Sequence, residues 1–300
     1  MAQYEHNEWN GSTGGTSWMQ RAMLKLFRFL PIPLAYACMA PVIPFYMLFD
    51  RRGYRASYNF FRHRIGRGPV HSFFSVYANE FRMGQVVVDR FALYAGRSFE
   101  LQNDELPVFM RLAEAEPGFV QLGSHAGNFE MAGYMLRSIK RMGTLVFSGE
   151  TETVMQQRAA MFARMNVEMV PVSDDMSHLF TLNAILSEGG IVSMPGDRLF
   201  GSTKSFACPF FGDPAPFPAG PFMLAAQRSV AMVAVFVMKE SVRRYRLFVR
   251  QIGETLDQTL DQTLPSRVRA EAMAKEFAAS LESVVRMYPT QWFNFYDFWK

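Results

Sequence analysis

Between about residues 118 and 197, short apolar runs alternate with segments of helical spacing, and this alternation constrains the fold more than any other feature. "FVQLGS" reads as a strand and "NFEMAGYMLRSIKRM" as a helix; "TLVFSG" and "ETVMQQRAAMFARM" repeat the pair, as do "VEMVPV" and "MSHLFTLNAILSEG"; "GIVSMPGD" closes the series as a strand. Strands joined through helices pair in parallel, because the helix carries the chain back to the same end of the sheet. The pattern predicts an α/β fold with a largely parallel central sheet flanked by helices. Three further strand-like runs follow, "KSFACPFFG", "AMVAVFVMKE" and "RYRLFVRQI", and then a helix, "SRVRAEAMAKEFAASLESVVRMY". Hydrophobic residues make up 49% of the 300, enough to bury a sizeable core. No linker divides this part, and the repeat "TLDQTLDQT" is too short for a solenoid.

Ahead of the alternation stands "FLPIPLAYACMAPVIPFYMLF", Phe29 to Phe49, without a single charge. As helix it would reach ~30 Å at about 1.5 Å per residue, the thickness of a bilayer's hydrocarbon core. Pro31, Pro33, Pro41 and Pro44 interrupt it, which argues against one straight helix. Arg21, Lys25 and Arg28 precede the run and Arg51, Arg52 and Arg55 follow it, so both ends carry the charges expected on the cytoplasmic side. A membrane-associated segment, broken or re-entrant, is the reading we carry forward. A cleaved signal peptide (Ala35-Tyr36-Ala37 imitates a cleavage site) and a buried core hairpin are the competing ones. The expected organisation is a tail over 1–20, a membrane-associated segment over 21–55 and one domain over 56–300. Residues 69–95 carry helical spacing.

The chemistry concentrates at "GSHAGNFE", residues 123–130. His125 follows a strand and precedes a helix, where loops of parallel strands converge. Gly123, Ala126 and Gly127 allow a tight turn close to a substrate. Asn128 is placed to cap the helix, and Glu130 falls in its first turn, where the helix dipole favours a carboxylate. From there Glu130 is expected to hold one imidazole nitrogen, leaving the other as a base. Ser124 stands one place too early for a nucleophile elbow, so the attacking group would belong to the substrate. A structural histidine at a helix start is the alternative.

Other features exclude function classes. Cys38 and Cys208 form no CxxC pair and the five histidines show no metal-ligand spacing, so no metal site is expected. Cys208 lies in an apolar run and reads as a buried thiol. His71 and His178 fall on amphipathic patterns and read as structural or surface residues. A net charge of +4 without a nucleic-acid motif points away from nucleic acid and toward an anionic membrane surface. The aromatic end, "QWFNFYDFW", fits either the membrane interface or packing against the domain.

"HAGNFE" resembles the H-x4-D/E signature of the lysophospholipid acyltransferase superfamily, and its form is closest to the bacterial late lipid A acyltransferases. The block "MPGDRLFGSTKSFACPFFGDPAPFPAGPFMLAAQRSVAMVAVFVMKE" and the ending "YPTQWFNFYDFW" are similar to that branch in the same order. The resemblance implies a glycerophosphate-acyltransferase-like fold and transfer of a fatty acyl chain to a hydroxyl or amine of a lipid acceptor at the inner membrane, on its cytoplasmic face. The donor would be acyl carrier protein or acyl-CoA, as cosubstrate and with no resident cofactor. His125 would be the general base and Glu130 its orienter. Gly127, Asn128, Asp197 and Arg198 would contact substrate, with Arg158 and Arg164 as candidates from a second arginine-bearing motif. Where the lipid A enzymes commonly carry Asp-Gln, this chain has Asp197-Arg198. A thioesterase-like hydrolase and a non-catalytic lipid-binding protein are the rival functions.

Overall fold

The structure is a computed structural model, and it describes residues 26–136, 140–146, 159, 162–163, 166–172, 177–199, 204–253 and 264–300. Its centre is a seven-stranded sheet in the order β1-β9-β8-β2-β5-β3-β4. The strands are β1 (Glu100–Gln102), β2 (Phe119–Gly123), β3 (Met142–Val146), β4 (Val167–Pro171), β5 (Ile191–Pro195), β8 (Ala231–Lys239) and β9 (Arg244–Ile252). Every neighbouring pair is parallel except β8 and β9, which form an antiparallel hairpin, so the predicted largely parallel sheet is present. The run "KSFACPFFG" does not join it. It becomes β6 (Ser205–Phe210), paired only with β7 (Asp213–Pro218). Pro214, Pro216 and Pro218 alternate along β7. Lacking N–H groups, all three turn the same edge away from β6, which a two-stranded ribbon tolerates and a central strand does not.

The sheet buries both faces, and β8 displays the period of two directly. Met232, Ala234, Phe236 and Met238 enter one core, with helix α8 (Ala219–Arg228) and helix α9 (Ser266–Met287). Val233, Val235 and Val237 enter the other, with α5 (Leu106–Glu114) and α6 (Phe129–Met135). Such a two-sided strand reads as a continuous apolar run. Helix α7 (Ser177–Ser187) covers β5, and Phe277 of α9 is fully buried among Phe217, Phe222 and Phe236.

The N-terminal run folds as α1 (Ile32–Met39), a 3₁₀ turn (Ala40–Val42) and α2 (Ile43–Phe49). Pro31 caps α1, and Pro33, Pro41 and Pro44 fall in the first turns of these pieces. There the missing N–H is lost only at the junction with the preceding piece, so the prolines segment the helix without ending it. Ile32–Phe49 is thus one helical run of 18 residues, long and apolar enough to cross a membrane. Its inner side (Ile32, Ala35, Tyr36) packs on Val88 and Ala92 of α4 (Pro69–Tyr94). Its outer side leaves Phe45, Tyr46, Leu48 and Phe49 exposed, Phe49 by 78%. Asp50 then caps α3 (Arg51–Asn59) by accepting the Gly53 N–H. Exposed Arg51, Arg52 and Arg55 line α3.

Candidate active site

β2 and β5 are parallel neighbours in a register that sets Gly123 opposite Pro195. The Gly196 N–H extends the pairing by donating to the Gly123 carbonyl at 2.9 Å. Residues 125 and 197, two places beyond the paired ends, therefore emerge side by side. The Asp197 carboxylate meets His125 twice. Oδ2 accepts the His125 backbone N–H at 2.7 Å, and Oδ1 lies 2.8 Å from Nδ1. An ionised carboxylate only accepts, so Nδ1 carries the proton and Nε2 presents its lone pair. Asp197 is 1% exposed, while the His125 side chain keeps 20% of its surface open.

Electrostatics favour the same state. Burial of the ring, with the Arg198 charge beside it, holds the His125 pKa below the ordinary 6.5 despite the opposing pull of Asp197. Burial alone would raise Asp197, but the attraction and hydrogen bonds of His125, together with Arg198, hold its carboxyl below the usual range. At pH 7 the pair is neutral imidazole and carboxylate. Protonating His125 opposes the fold. Its contribution to stability is complete above 6.5 and is lost as the pH falls through the depressed native value. Arg198→Met removes one of the two depressing influences. It should move the acidic limb of kcat/KM, and the His125 proton NMR titration, to higher pH; an unmoved titration would contradict this electrostatic account.

Glu130 does occupy the first turn of α6, but its carboxylate points to α4. It accepts from Arg90 Nη1 at 3.2 Å and from the Tyr94 hydroxyl at 3.0 Å. The carboxylate bonded to the imidazole is that of Asp197, not of Glu130, because the first turn of α6 faces the long helix and not the strand ends. Asn128 caps α6, its Oδ1 accepting the Met131 N–H at 3.2 Å. Its Nδ2 donates to the Tyr245 hydroxyl at 3.4 Å, and the residue is buried. Gly127 has φ +69°, and a Cβ there would stand 2.2 Å from the Val237 carbonyl. Both residues expected to touch substrate are turned toward the sheet. Arg158 and Arg164 lie outside the described residues.

Arg198 donates from Nη2 to the Phe293 carbonyl at 2.7 Å and lies over the Tyr296 ring at 5.7 Å. Its Nε is buried without a partner among the described residues. The aromatic end of the chain packs on the domain: Trp292, Phe293 and Phe298 are buried. It also shapes the loop, since Gly127 N–H donates to the Gln291 carbonyl at 2.7 Å and Phe293 N–H to the His125 carbonyl at 2.8 Å. Asn79 of α4 clasps this segment through the carbonyls of Thr290 and Trp292. Burial pushes the Cys208 thiol up to about 12, which removes it as a nucleophile.

Sequence reasoning did not reach Arg90, Tyr94, Asn79 or Gln291. For the three residues of α4 the signal available was a set of polar and charged side chains within the amphipathic run "ANEFRMGQVVVDRFALY".

A parallel sheet whose neighbouring strands deliver a histidine and a carboxylate to one edge agrees with the comparison to known families. A family model of the bacterial lipid A biosynthesis acyltransferases matches residues 96–300. The chain belongs to this acyltransferase family, whose members act in lipid biosynthesis. Among curated proteins, none matches the chain.

Proposed function

We propose that the protein transfers a fatty acyl chain from an acyl thioester, on acyl carrier protein or CoA, to a hydroxyl or amine of a lipid acceptor at the cytoplasmic face of the inner membrane. The observation that carries this reading is the doubly hydrogen-bonded His125–Asp197 pair at the C-terminal ends of β2 and β5, which keeps the proton on Nδ1 and makes Nε2 the basic ring nitrogen. His125 Nε2 takes the proton of the acceptor's O–H or N–H as its heteroatom bonds to the thioester carbon. The C–S bond breaks, and the proton passes from Nε2 to the departing sulfur. Asp197 stabilises the imidazolium formed between the two transfers. Its two contacts with His125 support it as the orienting carboxylate, whereas Glu130 accepts from Arg90 and Tyr94 of α4. Arg198, whose Nε has no partner among the described residues, would steady the developing oxyanion or an acceptor phosphate. No acyl-enzyme is required.

The exposed apolar side of α1 and α2 supports lodging in the bilayer, with Arg51, Arg52 and Arg55 at the headgroups or facing an acidic carrier. The test is mass spectrometry of lipid extracts from cells carrying the protein or its His125→Ala variant. One acylated species should vanish, its formation slowed by about 10²–10⁴. Unchanged lipids would overturn the proposal. Rapid thioester turnover without lipid would replace it with hydrolysis.

A further inference from the structure

A buried polar cluster outside the His125–Asp197 pair connects the N-terminal helix α1 to the His125 loop. Its hub is Asp89 of α4, fully buried. Asp89 Oδ1 accepts the hydroxyl of Tyr36, which α1 contributes. Oδ2 accepts Lys239 Nζ at 2.5 Å and the hydroxyl of Tyr245. Four elements (α1, α4, β8 and β9) thus converge on one carboxylate.

Two routes lead from that hub to the same two residues of the loop. In the first, Tyr245 gives its only proton to Asp89, so it offers Asn128 a lone pair and nothing else. This fixes which way the Asn128 amide faces: Nδ2 toward Tyr245 and Oδ1 toward the Met131 N–H that it caps. If Tyr245 were free to rotate, its proton could go to Oδ1 instead, and the cap would be lost. In the second route, Lys239 exchanges backbone hydrogen bonds with the Gln291 side chain at 2.8 and 2.9 Å. The carbonyl of Gln291 in turn receives the Gly127 N–H. Gly127 and Asn128 follow His125 after a single residue.

A buried ion pair is no stronger a source of stability than well-packed apolar residues in its place, because desolvation offsets the attraction. This pair has a directional use that apolar residues lack. We infer that Asp89 is a positioning residue: through Tyr245 and through Lys239–Gln291 it sets the His125 loop, and through Tyr36 it makes that setting depend on the seating of α1 against α4. The inference rests on His125 being the reactive base, but its geometry can be tested without turnover.

The experiment is hydrogen–deuterium exchange on the full chain, alone and with vesicles of phosphatidylethanolamine and phosphatidylglycerol. Tyr245→Phe keeps the ring and removes the link. It should speed exchange of Gly127 and Met131 by about ten-fold, the equivalent of one lost hydrogen bond, while amides of β8 and β9 hold their wild-type rates. Tyr36→Phe should loosen the same loop and abolish any slowing there that vesicles produce in the wild type. Asp89→Asn with Lys239→Met removes both charges together and should behave like Tyr245→Phe in a folded protein. Loop exchange that stays at wild-type rates, or that rises only in step with the whole sheet, would overturn the inference.

Consumption of dodecanoyl-CoA on the same vesicles separates the two proposals. A loosened loop in a protein that never transfers acyl groups would sink the acyl-transfer reading alone. Transfer by variants whose loop is unmoved would count against Asp89 alone. Loss of kcat in Tyr36→Phe with KM for the thioester unchanged is the expected split.

Discussion

Asp197→Asn is expected to lower kcat by about 10³–10⁴ while leaving the fold intact. Asp197 presently takes two donors, the backbone N–H and the Nδ1–H of His125. An asparagine has one acceptor oxygen and one NH₂ group. The backbone N–H is fixed by the β2 loop and claims the oxygen, which leaves the NH₂ facing Nδ1. The imidazole must then accept at Nδ1 and carry its proton on Nε2, so the atom meant to receive a proton already holds one. Glu130→Gln provides the contrast. It disturbs the Arg90 and Tyr94 contacts of α6 but leaves the ring's tautomer and acidic limb in place. Steady-state kinetics with pH profiles of both variants decide the matter. Equal profiles would contradict the assignment of Asp197 as the orienting group.

Phe277→Ala is expected to cost about 3–5 kcal/mol of stability, read from denaturant unfolding. The ring is fully buried and touches Phe217, Phe222 and Phe236. Hemmed in by three other rings, it leaves a cavity that its neighbours fill poorly. It also lies directly beneath the turn before Asp197, since a Cβ on Gly196 would stand 2.8 Å from it. Activity should fall beyond what the unfolded fraction explains, because the carboxylate loses its floor. A stability loss under about 1 kcal/mol would mean that the core relaxes around the gap.

Much of the architecture was legible because it rests on local patterns. The β–α alternation named β2, β3, β4, β5 and α7, and the spacing over 69–95 named α4 nearly to the residue. His125 stood out for its turn of small residues, and Asn128 for its capping chemistry. What remained hidden depends on pairing across the chain. Asp197 was singled out only through the family resemblance, as a substrate contact, and its contact with His125 follows from β2 lying beside β5, with β3 and β4 made in between and placed farther out. Glu130 was placed correctly on the helix. Its direction depends on Arg90 and Tyr94, one turn apart on α4, and nothing local to "NFEMAG" indicates which neighbour that helix faces. The four prolines argued against one straight helix, and the run is indeed split into two helices and a 3₁₀ turn, with each proline at the start of a piece. The ribbon of β6 and β7 was half seen, because proline argues against a strand unless its bare edge has no partner to serve.

The embrace of the loop by Gln291 and Phe293 bears on how the protein comes to life on the ribosome. His125 leaves the exit tunnel early, with the strand that carries it. Its carbonyl and the amide of Gly127 then wait for partners encoded far downstream. During translation a nascent chain can collapse its sheet while the His125 loop still lacks these partners, so the loop is completed only once the backbone behind α9 has been delivered and folded home.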